Sequence, residues 1–553
     1  MRTLVRSLAL VSGLLACSAE DTVGPASHES SSEAPVAGFV DETSPWGLDF
    51  VHDKGATDER QLLETMGHGV ALFDANEDGA LDLYLVQGGD YRARDGRAVN
   101  RLYLNERGSL RDVTSDSGAA ADPGYGMGVA VGDGDGDGHL DLALTNFGRD
   151  RWLAGDGRGS FESREVGIVE DRWTTAVTFF DPDADGDLDL FVVAYVAIDL
   201  DDPPWCGRRE DEWRTVCSPD EFPGLDDRLW LNDGGGRFTD GTSERGIAPL
   251  GGKGLGVAAF DMDDDGWTDV YVANDSTENH LWRNLGDGSF EDFTVLAGVG
   301  VNRFGATEAG MGVAVGDLDG DLLPEIVVTN FDHESHSIYR NEGSGLFLDA
   351  TPEFGVEAAT RMPVGFGVVS FDADGDRDLD LALVNGHVVE RIALYDDAQT
   401  WRQRAQLFRN DAGRLRLDDE LGGDFAKEPR VGRGLAVGDL DGDGDEDLVA
   451  TECGGRARIF VNPGAPTDVL RVRGLEPGAR VRATYADGVV VVREAANRAS
   501  YLSASSSDVL LPTQSSIERL ELRDPGAEWR AVEVEPIVDA AVTRSARSDS
   551  SDR

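Results

Sequence analysis

Residues 69–86 read GVALFDANEDGALDLYLV. A short apolar run enters an acidic nine-residue loop that starts at Asp74, and a second apolar run rich in Leu and aromatic side chains leaves it. Two such runs joined by a tight glycine-bearing turn predict a β-hairpin whose strands are too apolar to face solvent. The unit recurs as DGDGDGHLD from Asp133, DPDADGDLD from Asp181, DMDDDGWTD from Asp261, DLDGDLLPE from Asp317, DADGDRDLD from Asp372 and DLDGDGDED from Asp439. Seven copies, 48 to 80 residues apart, leave room for one four-stranded unit each plus loops of variable length.

Each copy carries more on the C-terminal side. A third segment ends in an Asn-Gly turn in most copies: RLYLN (101–105), RLWLN (228–232), HLWRN (280–284), SIYRN (337–341), QLFRN (406–410) and RIFVN (458–462). A fourth, of the form F-x-D-x-T, follows as FTDGT (238–242), FEDFT (290–294) and FLDAT (347–351). Four antiparallel strands per copy make one blade, so the predicted fold is all-β: a seven-bladed β-propeller over residues 38–465, followed by a small β-rich domain over 466–540. The fourth-strand signal also stands upstream of the first loop as FVDET (39–43), and nothing like it follows Asn462. Residues 38–43 are therefore expected to complete the last blade, since an open array would leave two sheet edges exposed.

The loops place oxygen ligands at positions 1, 3, 5 and 9. They are Asp74, Asn76, Asp78 and Asp82; Asp133, Asp135, Asp137 and Asp141; Asp181, Asp183, Asp185 and Asp189; Asp261, Asp263, Asp265 and Asp269; Asp317, Asp319, Asp321 and Glu325; Asp372, Asp374, Asp376 and Asp380; Asp439, Asp441, Asp443 and Asp447. With a carbonyl from position 7, this is the flexible all-oxygen set that Ca²⁺ prefers, whereas Mg²⁺ wants stricter octahedral geometry and soft metals want Cys or His. An EF-hand is excluded, because its twelfth-position Glu is replaced by Leu85, Leu144, Val192, Val272, Val328, Leu383 and Ala450. Up to seven Ca²⁺ ions are expected. Gly fills the turn at position 6 except at Leu322 and Arg377, so the loops from 317 and 372 are expected to be the weakest.

Composition narrows the partners. A formal charge of -55 with 40% hydrophobic residues describes a folding chain that repels nucleic acid. Arg2 and Arg6 precede an apolar run that ends in Leu14-Leu15-Ala16-Cys17, the pattern of an export signal with a lipid-accepting Cys17. Residues 1–17 are read as a lipoprotein signal peptide, 18–37 as a flexible linker and 541–553 as a disordered tail. The membrane is engaged only through the anchor, expected on the bacterial cell envelope at the outer membrane, whose sorting preference Ser18 resembles, or on the cell surface. Cys206 and Cys217 lie eleven apart in a loop-like stretch and are expected to pair in an oxidising compartment, while Cys453 is expected buried and unpaired.

The repeat G-x-G-V-A-x-x-D-x-D-x-D-G-x-x-D-L resembles the FG-GAP/VCBS repeat of integrin α-chain propellers and bacterial surface proteins. The stretch 47–89 together with VNGHV (384–388) is similar to the cartilage acidic protein family, in which the propeller is followed by an ASPIC/UnbV domain. Residues 468–535 are similar to that domain, although its closing motif stands here as Arg523-Asp524-Pro525-Gly526. The resemblance implies extracellular, calcium-dependent binding of a protein or glycan, with no catalytic residues to carry over.

The leading functional reading is therefore a surface binding or adhesion module, with the long insertion 195–227 and its Trp205, Trp213 and Phe222 as the contact surface. Two alternatives stand beside it: an extracellular enzyme acting on polysaccharide, and a structural envelope protein. An enzyme would need a convergent acid/base set, for which His68, His139, His280, His333, His336 and His387 are the candidates. None stands beside a paired carboxylate distinct from the loop ligands.

Overall fold

Uniformly apolar strands predict burial on both faces, and the first hairpin, Val70–Phe73 against Asp82–Leu85, is buried at every position. The computed structural model describes residues 38–92, 98–121, 124–168, 171–464, 468–495, 500–532 and 539–541. The proposed export signal with Cys17, the linker and all but the first residue of the proposed tail lie outside the described residues.

Seven blades follow one another in chain order. In blade 1 the strands Val70–Phe73, Asp82–Leu85, Arg101–Asn105 and Leu110–Asp112 pair antiparallel in sequence order. Blades 2 to 6 repeat this meander from Tyr125, Asp171, Gly254, Val313 and Gly365, with the insertion lying between the second and third strands of blade 3. The inner strand of blade 3 also pairs with blade 2, Trp173 facing Phe147, which laces those two sheets together. In blade 7, Gly432–Gly438, Asp447–Glu452 and Arg458–Val461 are completed by Val40–Asp41, with Val40 opposite Val461 and Asp41 opposite Phe460. The ring is closed by its own N-terminal segment, as FVDET predicts.

The third-strand asparagines do more than open a turn. The side-chain amide of each donates to the second-position carbonyl of the preceding blade's loop: Asn105 to Leu440 at 2.8 Å, Asn232 to Gly134 at 2.7 Å and Asn284 to Pro182 at 2.7 Å. Asn341 to Met262, Asn410 to Leu318 and Asn462 to Ala373 repeat the contact at 2.8, 2.8 and 2.9 Å. Blade 2 has Gly155 in that place and does not make the bond. Close packing around the axis needs glycine: a Cβ on Gly256 or Gly312 would lie 2.2 or 2.1 Å from the carbonyl oxygen of Met311 or Phe366 in the next blade.

The chain then builds a two-sheet sandwich. One sheet orders Val509–Pro512, Val469–Arg473 and Asp539–Ala541; the other orders Val490–Glu494, Arg480–Tyr485, Ile517–Arg523 and Arg530–Val532. Leu470, Val472, Val481, Leu511, Leu520 and Leu522 form its core.

From this sandwich, residues 500–506 enter the propeller axis. Ala504 exchanges hydrogen bonds with Val70 and Leu72, Ser506 N–H donates to Val437, and Val129 N–H donates to Leu502 O. Fully buried Tyr501 packs edge-on against Phe366 and donates to Met66 O at 3.0 Å. The centre of the ring is thus filled by the chain's own segment, while a cavity of about 440 Å3 remains between this segment and the inner strands of blades 1 to 3.

Because Asn284 is 1% exposed, Asn284→Ala strips a buried amide from the carbonyls of Pro182 and Thr268. A loss of about 1–3 kcal/mol in unfolding free energy is expected. Chemical denaturation checks it, and an unchanged midpoint would refute the inter-blade role.

Candidate metal centres

Each loop folds around its first aspartate by one rule. The N–H of position 6 donates to Oδ2 of position 1: Gly79 to Asp74, Gly138 to Asp133, Gly186 to Asp181, Gly266 to Asp261 and Gly444 to Asp439, all between 2.8 and 3.0 Å. Leu322 to Asp317 and Arg377 to Asp372 make the same bond at 3.0 and 2.8 Å. These two residues adopt φ of 76° and 83°, the left-handed region that glycine occupies in the other loops. Position 5 next accepts the N–H of position 7, as in Asp78 from Ala80 at 2.9 Å and Asp321 from Leu323 at 2.9 Å.

The ninth-position carboxylates are the most buried, at 0 to 4% exposure. One oxygen takes the N–H of the loop's second residue and the other takes an N–H from the third strand. Asp82 accepts from Ala75 at 2.9 Å and Asn105 at 2.8 Å, and Asp380 from Ala373 at 2.8 Å and Asn410 at 2.7 Å. In the third loop Pro182 has no N–H to give, and Asp189 keeps only the bond from Asn232 at 2.7 Å.

Ligand oxygens converge within 4.8 Å at Asp133/Asp135/Asp141, Asp181/Asp183/Asp185, Asp261/Asp263/Asp265, Asp317/Asp319/Glu325 and Asp372/Asp374/Asp380, and one further acidic group of this kind is present. In the first loop Asn76 turns its amide to Asp78 at 3.0 Å. The donor set fits a hard cation. Oδ1 of Asp181, Asp263 and Asp319 is buried yet accepts no hydrogen bond, and a coordinating ion satisfies such oxygens.

Sequence reasoning missed the arginines that neighbour these carboxylates. Arginines of the ring meet position 3: Arg164 on the fourth strand of blade 2 at Asp135, Arg245 in the turn after the fourth strand of blade 3 at Asp183 at 2.7 Å, and Arg283 on the third strand of blade 4 at Asp263 at 3.0 Å. The signal was present in HLWRN, where Arg283 precedes the inter-blade Asn284. Sandwich arginines meet position 1: Arg471 at Asp439, and Arg480 with Arg523 at Asp261. No periodic signal announces these.

The opposite face is different. Cys206 and Cys217 form a disulfide, Phe222 belongs to the buried core, and Trp213 lies between the guanidiniums of Arg60 and Arg391 at 4.1 and 3.9 Å. Phe222 is therefore no surface anchor. Two of the candidate histidines stand beside carboxylates outside the loops, buried His387 on Asp332 at 3.2 Å and His333 on Asp396, while His280 and His336 are buried. His68 is buried and stacks on His52 at 3.9 Å, while His139 sits 2.5 Å from Glu77 and His333 2.9 Å from Asp396. Cys453 is buried, with its thiol on Glu64 O at 3.3 Å.

Burial, reinforced by neighbouring loop carboxylates, pushes Asp82 and Asp141 up to about 7, Asp189 to about 8 and Glu325 to about 9. Asp269, Asp380 and Asp447 lie well above the carboxylate range for the same reason. Such groups bind protons more tightly folded than unfolded. Without a cation, their contribution to stability is complete below about pH 4 and is lost as pH rises through 7 to 9. Burial lowers His52 and His336 to about 3, His68 well below its usual value and His280 below it, which acts in the opposite sense across pH 6.5, but these are four groups against seven. In chelator, the thermal midpoint is expected to fall between about pH 5.5 and 8.5, and added Ca²⁺ to flatten that slope. A chelated protein equally stable at both pH values would contradict the assignment.

The curated relatives include cartilage acidic protein 1 of Homo sapiens, 28% identical over 213 residues, and of Mus musculus, 27% identical over 213 residues. Each match covers 38% of this chain and 30% of the relative's length. Among solved structures, the chain aligns with YCF48 bound to D1 peptide at 8% identity and a TM-score of 0.41, over 78% of this chain and 99% of that one. It also aligns with an Agrocybe aegerita protein described as recognising non-reducing terminal N-acetylglucosamine, at 14% identity and a TM-score of 0.39, over 73% and 89%. A model of the FG-GAP-like repeat matches residues 74–144, 133–192, 224–272, 261–328 and 317–383, half of the chain and six of the seven loop-bearing hairpins. Since those matches coincide with the repeating hairpin, its acidic loop and the strands that follow, the chain belongs to the FG-GAP-like repeat family.

Proposed function

We propose that the protein is an exported, calcium-loaded propeller that works as a binding or adhesion module for an extracellular protein or glycan. The observation that carries the proposal is the pairing of convergent, hydrogen-bond-starved carboxylate oxygens in the loops with a propeller axis filled by residues 500–506. Propeller enzymes use the central channel for substrate, and here Tyr501 and Leu502 occupy part of that space, beside the cavity of about 440 Å3 along blades 1 to 3. That arrangement favours recognition at the rim over catalysis at the centre. The contact surface is assigned to the insertion opposite the loops, where Trp205 stacks with Arg209 and Trp213 with Arg60 and Arg391 from outside the insertion, side chains of the kind that dominate binding interfaces. Calcium's role in this scheme is structural. It neutralises carboxylates that would otherwise repel by roughly 3 kcal/mol per pair at 5 Å and an effective dielectric near 20, and it stabilises the folded state by mass action.

The Arg-flanked apolar run ending at Cys17 and the disulfide support export with a lipid anchor. Cys17→Ser is expected to shift the protein from the membrane fraction to the soluble exported fraction, and retention on the membrane would refute the anchor. For the ring, several bound Ca²⁺ per chain and a large calcium-specific rise in thermal midpoint over EGTA are expected. Glycan and matrix-protein binding screens run in calcium then test recognition. No bound metal and no thermal shift would withdraw the calcium and adhesion readings together.

A further inference from the structure

The loops and the C-terminal sandwich are distant in sequence and are joined by arginine. Asp261 gives Oδ1 to the Asp265 N–H at 3.1 Å and Oδ2 to the Gly266 N–H at 3.0 Å. Arg480 and Arg523 come to that same Oδ2, and both also reach Asp264 Oδ1, at 2.8 and 2.9 Å. In the seventh loop Asp439 gives Oδ1 to Gly442 at 2.7 Å and Oδ2 to Gly444 at 3.0 Å, and Arg471 again joins Oδ2 while reaching Asp508 at 3.4 Å. Both loops therefore use one geometry. The guanidinium takes the oxygen already tied to the loop's own turn.

Three other loops are held by their position-6 carbonyl. Arg473 donates to Gly79 O at 3.2 Å, Arg480 to Leu322 O at 3.4 Å and Arg493 to Arg377 O at 2.6 Å. Each acceptor residue sits at positive φ, at 87°, 76° and 83°, the conformation that closes its loop. The sandwich thus docks on loops 1, 4, 5, 6 and 7 in their closed form.

We infer that Arg471, Arg480 and Arg523 are positioning residues for the cation cages of the seventh and fourth loops, so that cation loading and seating of the sandwich reinforce each other. The inference rests on the calcium reading above. A guanidinium adds positive charge beside a cation, and Asp264, shared by Arg480 and Arg523, and Asp508, shared by Arg471 and Arg473, offset part of that charge. Orientation of the first-position carboxylate is what remains, and loss of such outer partners costs roughly 10- to 100-fold in metal affinity. Reciprocity requires that the cation tighten the sandwich by the same factor.

The test uses the full chain. Calcium titration calorimetry on the wild type, Arg471→Gln and the double variant Arg480→Gln/Arg523→Gln is expected to show the fourth- and seventh-loop sites weakened about tenfold or more, the sites of loops 1, 2, 3 and 6 unchanged and Arg471→Lys partly restored. Arg519→Gln is the control, since Arg519 is 62% exposed and pairs with Glu521 at 2.6 Å. Hydrogen exchange should show the amides of Ala504 and Ser506 protected in Ca²⁺ and exposed faster in EGTA, a readout that needs no variant to fold. Wild-type affinities in the variants, with protection indifferent to calcium, would overturn the inference while leaving the calcium reading intact. Absence of bound calcium in every form would overturn both.

Discussion

A carboxylate buried at the ninth position of each loop constrains everything around it. Away from water it must be satisfied on both oxygens, and six of the seven take one N–H from their own loop and one from the third strand of their blade. That second donor, in all six third strands that end in asparagine, is the residue whose side chain reaches the preceding blade. One buried charge therefore fixes the hairpin register and places the amide that joins neighbouring sheets. Blade 2, with Gly155 instead of asparagine, keeps the N–H to Asp141 at 2.9 Å and forgoes the side-chain link. Its sheet is instead laced to blade 3 by the strand pairing at Phe147 and Trp173.

Concentrating carboxylates on one face creates a charge problem, and the chain meets it with two sets of arginines. Arg164, Arg245 and Arg283 reach position 3 from the ring itself, each from a different place in its blade. Arg471, Arg480 and Arg523 reach position 1 from the sandwich and follow no repeat, because a single two-sheet domain cannot match sevenfold symmetry. Its docking is necessarily uneven, and the cavity beside loops 1 and 2 marks the side where contact is sparse.

The hairpins, the acidic loops, the ring closure at residues 39–43 and the Cys206 to Cys217 pairing were legible in the sequence, because each is local or repeats. Asn284 was read as a turn residue, since its partner, Pro182, lies 102 positions away. Phe222 resembled a surface anchor because aromatic content alone does not reveal which side of a loop faces the core. Residues 500–506, YLSASS with its preceding Ser500, carry no strand alternation and little hydrophobicity. Their place at the axis comes from backbone hydrogen bonds to Val70, Leu72 and Val437 and from the hydroxyls of Ser500, Ser503 and Ser505, which accept from the N–H groups of Val368, Val70 and Val437, bonds that leave no hydrophobic pattern in the sequence.

Leu322 and Arg377 show how the two parts of the chain were fitted together. A non-glycine residue held at positive φ costs on the order of 1 kcal/mol or more, and position 6 is glycine in the other five loops. At these two places the side chain has work that glycine cannot perform. Arg377 pairs with Asp487 at 2.8 Å and lies over the ring of Tyr485 at 4.8 Å, both in the sandwich. Leu322 lines a small cleft with Arg480 and Val492, and its carbonyl accepts from Arg480. In these two loops the residue at position 6 meets the sandwich with its side chain, whereas loops 1, 4 and 7 keep glycine there and meet the sandwich through the Gly79 and Gly266 carbonyls and the Asp261 and Asp439 carboxylates. The first-position aspartates still receive the sixth-position N–H in both loops, and the cage framework survives the exchange.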